Sequence, residues 1–195
     1  MKRPVWMFLL LAAGVLLLLG KSTPAATVLP LSLTDLVRQS DLVVEARIVS
    51  GTADFSGPAG TSMIFTYWQV QVLDAVKGTL PPRLLVRTPG GTKDNRSLTV
   101  PGAPGFQPNQ EKILFLKRTE EVRGGVPVFE VLGWEQGALN ITREPSSGER
   151  IVLRRPEPAS QGRSQPAAVK VKDLKQQIRV LSKPTAEPGP KEVSP

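Results

Sequence analysis

The sequence predicts a mainly β fold, a small twisted sheet or barrel with a short helix before it and another after it. Three observations carry this. Between residues 41 and 118, segments rich in Val, Leu, Ile and aromatics alternate with Gly and Pro punctuation. Within those segments apolar residues recur at every second position, the period of a half-buried strand. Helical spacing of apolar residues is found only near residue 33 and again from Val171 to Leu181.

Ahead of the body, residues 1–26 have the form of a secretory signal. Lys2 and Arg3 precede an unbroken apolar run from Val5 to Leu19, and small residues follow it. The run is 15 residues long, short of the roughly 20 that span a bilayer comfortably. Cleavage after Ala25 gives a secreted or periplasmic chain, and an uncleaved signal gives an N-terminal membrane anchor. The body is then assigned to residues 27–155.

From Leu31, Ser32 is placed to cap a short helix, with Asp35 three residues later completing a capping box and Leu33, Leu36 and Val37 forming its buried face. That helix is expected to plug one end of the sheet. Residues 41–50 read as the first strand, with Leu42, Val44, Ala46 and Ile48 on one face and Glu45 and Arg47 on the other. Residues 51–62 read as a flexible loop. Residues 63–76 form the longest strand, with Trp68 on one face and Phe65 and Tyr67 on the other, and a strand of that length must bend or carry a bulge in a small barrel. A short strand at 83–88 follows. Residues 89–95 read as a loop without regular structure, 98–100 as a segment rejoining the sheet, and 101–105 as a break. Asn109 suits a left-handed turn. Strands are expected at 112–118, 126–132, 138–142 and 151–153.

After Pro156 the composition shifts to Pro, Ser, Gln, Gly and Ala, so 156–170 reads as a linker. Residues 171–182 read as a basic amphipathic helix with Val171, Leu174, Ile178 and Leu181 on one side, stopped by Pro184. It can dock on the body, lie on an anionic membrane or meet a partner helix. Residues 183–195 have the composition of a disordered tail.

Composition limits the chemistry. There is no Cys, so disulfides and thiolate sites are excluded, and no His, the usual base near neutral pH. A non-enzymatic protein is therefore expected, with no cofactor and no metal. The formal charge of +8 is unevenly spread. Residues 27–149 hold 12 basic and 13 acidic residues, whereas residues 150–195 hold 10 basic and 4 acidic. A neutral body does not suit nucleic acid.

Ser40 to Val44 opening a strand, a long strand ending at Val76-Lys77-Gly78, and a later strand at Ile113 to Leu116 resemble the netrin-like barrel of the tissue inhibitors of metalloproteinases. The chain is more closely similar to a group of uncharacterised exported bacterial proteins. They share this opening, a Pro-Gly-Gly loop (here Pro89 to Gly91), and Gly102, Pro104 and Phe106 followed by Leu114-Phe115-Leu116. The resemblance spans about residues 31–142 and implies a five-stranded, OB-like (netrin-like) β-barrel. It does not carry protease inhibition with it, because those inhibitors chelate zinc through an N-terminal Cys. Asn109 stands where the bacterial pattern more often has Gly.

OB-type barrels bind across one face and its flanking loops. The candidate binding residues are therefore Arg87, Gly90 and Gly91 in one loop region, Pro101, Gly102, Pro104 and Phe106 in a second, and Trp134 at a strand junction. The same glycines and prolines could simply shape long connections, and Trp134 could cover the barrel end. Phe65 and Tyr67 could offer a stacking platform or belong to the core. The expected function is an exported binding module whose partner is an exported protein or a cell-envelope polymer, with membrane contact only through the signal or the basic helix. An inhibitor or accessory subunit of an exported hydrolase is the alternative. A carboxylate enzyme acting on polysaccharide through Glu130 or Glu135 is a third reading.

Overall fold

A computed structural model describes residues 30–57, 63–154 and 167–183. The predicted signal at 1–26, the linker at 156–166 and the tail from 184 onward lie outside the described residues. Helix α1 (Leu33–Gln39) forms as its cap predicts: Ser32 Oγ accepts from the Asp35 backbone N–H at 3.0 Å and donates to the Asp35 carboxylate at 2.6 Å. The other end of α1 is satisfied by Lys77, whose Nζ donates to the Val37 and Ser40 carbonyls, a cation where the helix dipole favours one.

Strands β1 (Leu42–Ser56) and β2 (Met63–Lys77) form a long antiparallel hairpin, so β1 continues through the segment expected to be a flexible loop. Alternation fades after Ser50, yet Ala53, Asp54 and Phe55 still pair with Thr66, Phe65 and Ile64. The pairing shifts register three times, leaving Val49, Leu73 and Val76 unmatched, and these bulges bend the hairpin as its length requires. Gly78 then reverses the chain at φ +85°; a Cβ there would sit 2.4 Å from the Asp41 carbonyl oxygen.

Next come β3 (Leu85–Pro89), β4 (Gly91–Lys93) and β5 (Arg96–Leu98). Where a structureless loop was expected, β4 and β5 make a small hairpin of their own. Its turn residues Asp94 and Asn95 both have positive φ, the geometry of a type I′ turn. Asn109 is left-handed as predicted, at φ 67°. Strands β6 (Glu111–Arg123) and β7 (Val126–Val131) form the next hairpin, followed by a 3-10 turn (Trp134–Gly137), β8 (Ala138–Arg143) and β9 (Arg150–Arg154). Strand β10 (Ala167–Lys170) pairs with β9, so these four residues of the expected linker belong to the sheet. Helix α2 (Val171–Leu181) follows directly.

Five strands close a ring in the order β1-β2-β3-β7-β6-β1, with β3 and β7 parallel and every other pair antiparallel. This is a mainly β, OB-like barrel, closed on one side by only three residue pairs between β3 and β7. Strands β8, β9 and β10 extend the sheet beyond the ring.

Two cores follow from the alternation. Leu42, Val44, Ala46, Ile48, Val86, Leu114, Leu116 and Phe129 fill the inside of the ring. Val43, Val76, Ile113 and Phe115 point outward and are covered by Leu36 and Val37 of α1 and Leu174 and Ile178 of α2. Strands β1 and β6 are thus buried on both faces across Leu42–Ala46 and Lys112–Leu116. Helix α1 covers this outer face rather than plugging the end of the sheet. Helix α2 docks on the body: Lys175 binds Glu45 at 2.7 Å and Asp74 at 2.5 Å, and Arg179 binds Asp74 at 2.8 Å. Among the described residues no helix is long and apolar enough to cross a membrane.

Candidate binding cleft

The register of the ring lays one row of side chains across its outer surface. Thr52 on β1 pairs with Tyr67 on β2, Tyr67 with Arg87 on β3, Arg87 with Glu130 on β7, and Glu130 with Lys117 on β6. Polar and aromatic residues at alternate positions of each strand therefore gather on one face. A fault in β6 adds the central carboxylate: between Arg118 and Val122 the β6–β7 register shifts, with Thr119 Oγ1 bonded to the Val128 carbonyl at 2.8 Å. The Glu121 backbone N–H donates to Thr119 Oγ1 at 3.2 Å. Bulges re-aim side chains in this way.

Glu121 is the hub. Its carboxylate accepts from Tyr67 Oη at 2.8 Å, Arg87 Nη1 at 2.8 Å, Arg123 Nε at 2.7 Å and, more distantly, Ser56 Oγ at 3.4 Å. Arg123 reaches further, to Asp54 at 2.7 Å and the Phe55 carbonyl at 2.8 Å, and lies 3.8 Å over the Tyr67 ring. Arg87 bonds Glu130 at 3.1 Å and lies 4.7 Å over the Phe65 ring. Its Nε is buried without a partner. Arg87, Glu121, Arg123 and Glu130, with Phe55, Ser56, Gly57, Arg118, Thr119 and Glu120, line an open cleft of about 760 Å³, and Tyr67 and Asp54 brace it from behind through their bonds to Glu121 and Arg123.

The electrostatics fix the charge states. Burial alone would raise the Glu121 carboxyl, but Arg123, Tyr67 and Arg87 outweigh it and hold it below its ordinary value. Asp54 is also lowered, chiefly by Arg123. Burial opposes the charge of Arg87, yet Glu130 and Glu121 outweigh it and lift the guanidinium above its usual value. The Tyr67 phenol is raised, mainly by burial and further by Glu121, so it stays a neutral donor at neutral pH. Among the described residues no group of three His, Cys, Asp or Glu side chains is placed to hold a metal ion.

Of the eight candidate residues, Arg87 alone lines this cleft. Gly90 is a structural joint: its N–H donates to the Ile64 carbonyl at 2.8 Å and its carbonyl accepts from Thr66 Oγ1 at 2.8 Å. Gly91 packs against Thr66 and Ala53. Pro101 and Gly102 form an exposed turn, whereas Pro104 is buried. Phe106 is also buried, its ring edge-on to Trp68 at 5.5 Å inside the ring, so it fills the core and offers no surface for a ligand. Trp134 is 42 % exposed at φ 60° in the 3-10 turn, apart from the cleft lining. Glu130 sits in the cleft, while Glu135 in that same 3-10 turn acts electrostatically on buried Lys112. The two are not a facing carboxylate pair.

The chain matches no family model and no curated protein.

Sequence reasoning missed Asp54, Glu121 and Arg123. Asp54 falls in a segment that reads as a loop, and Glu120 and Glu121 are adjacent residues whose side chains point apart on a regular strand but not at the register shift. The usable signal is Gly124-Gly125, a two-residue turn with both φ positive that sets Arg123 of β6 opposite Val126 of β7.

Proposed function

We propose that the protein is an exported, non-enzymatic binding module and that the cleft on the outer face of its barrel is where the partner sits. The observation that carries this is the Tyr67–Arg87–Glu121–Arg123 network. It presents fixed charges and hydrogen-bonding groups on a rigid sheet at the face where OB-type barrels take their ligands. The same network argues against acid–base chemistry. A general acid or base works best with a pKa near the ambient pH, whereas Asp54 and Glu121 are held low and Tyr67 high. The partner is an exported protein or a cell-envelope polymer, following from the signal-like residues 1–26.

Affinity capture from the host envelope and medium tests this, with the mature chain and an Arg118→Glu variant as baits. Arg118 lines the cleft on the exposed end of its strand, so the reversal alters the surface without opening the core. Loss of the captured partner from the variant supports the cleft. Equal capture by both baits places the binding surface elsewhere.

A further inference from the structure

The two carboxylates on Arg87 are held very unequally. Glu121 is 20 % exposed and has four donors, whereas Glu130 is 48 % exposed. Among the described residues Glu130 is bonded by Arg87 alone, at 3.1 Å. A half-exposed, singly held carboxylate is easily displaced, since such pairs contribute little net free energy. Displacing it would free the outer Nη2 of Arg87 beside Arg118, whose guanidinium has no ion-pair partner among the described residues. Arg87 is also under-bonded, with Nε buried and unpartnered.

Resting on the binding role proposed above, we infer that Glu130 is a gate over Arg87, and that the cleft's ligand is an acidic polypeptide segment whose carboxylate takes its place. Guanidinium groups favour carboxylates, with which they make charge-assisted hydrogen bonds. The aromatics decide between a polypeptide and a polysaccharide. Sugar rings would need an open aromatic face, but Phe55, the one aromatic of the lining, has Arg96 6.0 Å over its ring, and the neighbouring Phe65 and Tyr67 lie under Arg87 and Arg123. Glu120, the one acid of the lining without a partner among the described residues, is available to a backbone N–H or a basic side chain of the same segment.

The test measures binding of labelled deca-glutamate to the full mature chain by fluorescence anisotropy at low salt, with deca-lysine and an oligo-uronate as competing arms. Glu130→Gln is expected to tighten deca-glutamate by about two- to fivefold, and Arg118→Ala to weaken it by a similar factor, the range for a partly exposed ion pair. Weaker or unchanged binding in Glu130→Gln overturns the gate. An oligo-uronate that binds as tightly as the peptide, or a preference for deca-lysine, overturns the ligand class. The partner captured from the envelope separates this inference from the wider one. If Arg118→Ala weakens that partner while Glu130→Gln does not strengthen it, the gate alone fails. If neither variant changes its affinity, the cleft is not the binding face.

Discussion

Lys175 Nζ lies 2.7 Å from Glu45 Oε2, joining the C-terminal helix to the first strand of the barrel across 130 residues of sequence. Glu45 is only 4 % exposed, and its other oxygen is held by Arg150 at 2.6 Å. Lys175→Ala leaves a buried carboxylate with one partner, and is expected to destabilise the fold by about 1–3 kcal/mol, the cost of an unmet buried polar group. Urea denaturation of the variant and the parent checks this.

The apolar side of the same helix carries more. Leu174 and Ile178 are fully buried against Val43, Phe115 and Val152. Ile178→Ala should cost about 2–5 kcal/mol, because the helix and the sheet beneath it cannot both close the gap. The same denaturation assay reads it, and a loss below that of Lys175→Ala would mean that the helix is held by charge rather than packing.

Acid should loosen this attachment. Burial would raise the Glu45 carboxyl, but Lys175 and Arg150 outweigh it, so its folded value lies below the ordinary 4.5. Asp74 is lowered from 3.8, chiefly by Lys175. A depressed carboxylate stabilises the fold above its unfolded pKa, and the stabilisation is lost as pH falls through the folded value. Stability from these groups is therefore complete above 4.5 and declines below it. Urea midpoints between neutral pH and about pH 3 should fall more steeply for the parent than for Lys175→Ala. Parallel profiles would contradict the assignment.

Two glycines that look alike in sequence should behave differently. Gly90 has φ +103°, and a Cβ there would meet the Leu98 carbonyl oxygen at 2.8 Å; Gly102 has φ +78° with open space around it. Gly102→Ala should cost about 1–2 kcal/mol for the left-handed backbone alone. Gly90→Ala should cost clearly more, since backbone must also move. Thermal denaturation of the two variants ranks them.

Much of the fold was legible because its rules are local. The Ser32–Asp35 cap, the alternation through Ala46 and Ile48, the left-handed Asn109 and the spacing of Leu174 and Ile178 each declare an element from a few neighbouring residues. The parts that were missed depend on distant partners. Residues 51–56 are a strand because Met63–Trp68 pairs with them, and 167–170 because β9 does. Phe106 looked like a loop aromatic until the ring closed around it. The cleft was the least legible, since Asp54, Arg87 and Arg123 meet only through the register of separate strands and the fault beside Glu121.

The most direct measurement is hydrogen–deuterium exchange of the protein with and without a partner captured from the envelope by the experiment proposed above. Partner-dependent protection should concentrate on the Asp54–Gly57 and Phe65–Tyr67 segments, β3, and the β6–β7 hairpin around Glu121. Protection confined to α1 and α2, or to the exposed Pro101–Gly102 turn, would contradict the assignment of the cleft as the binding face.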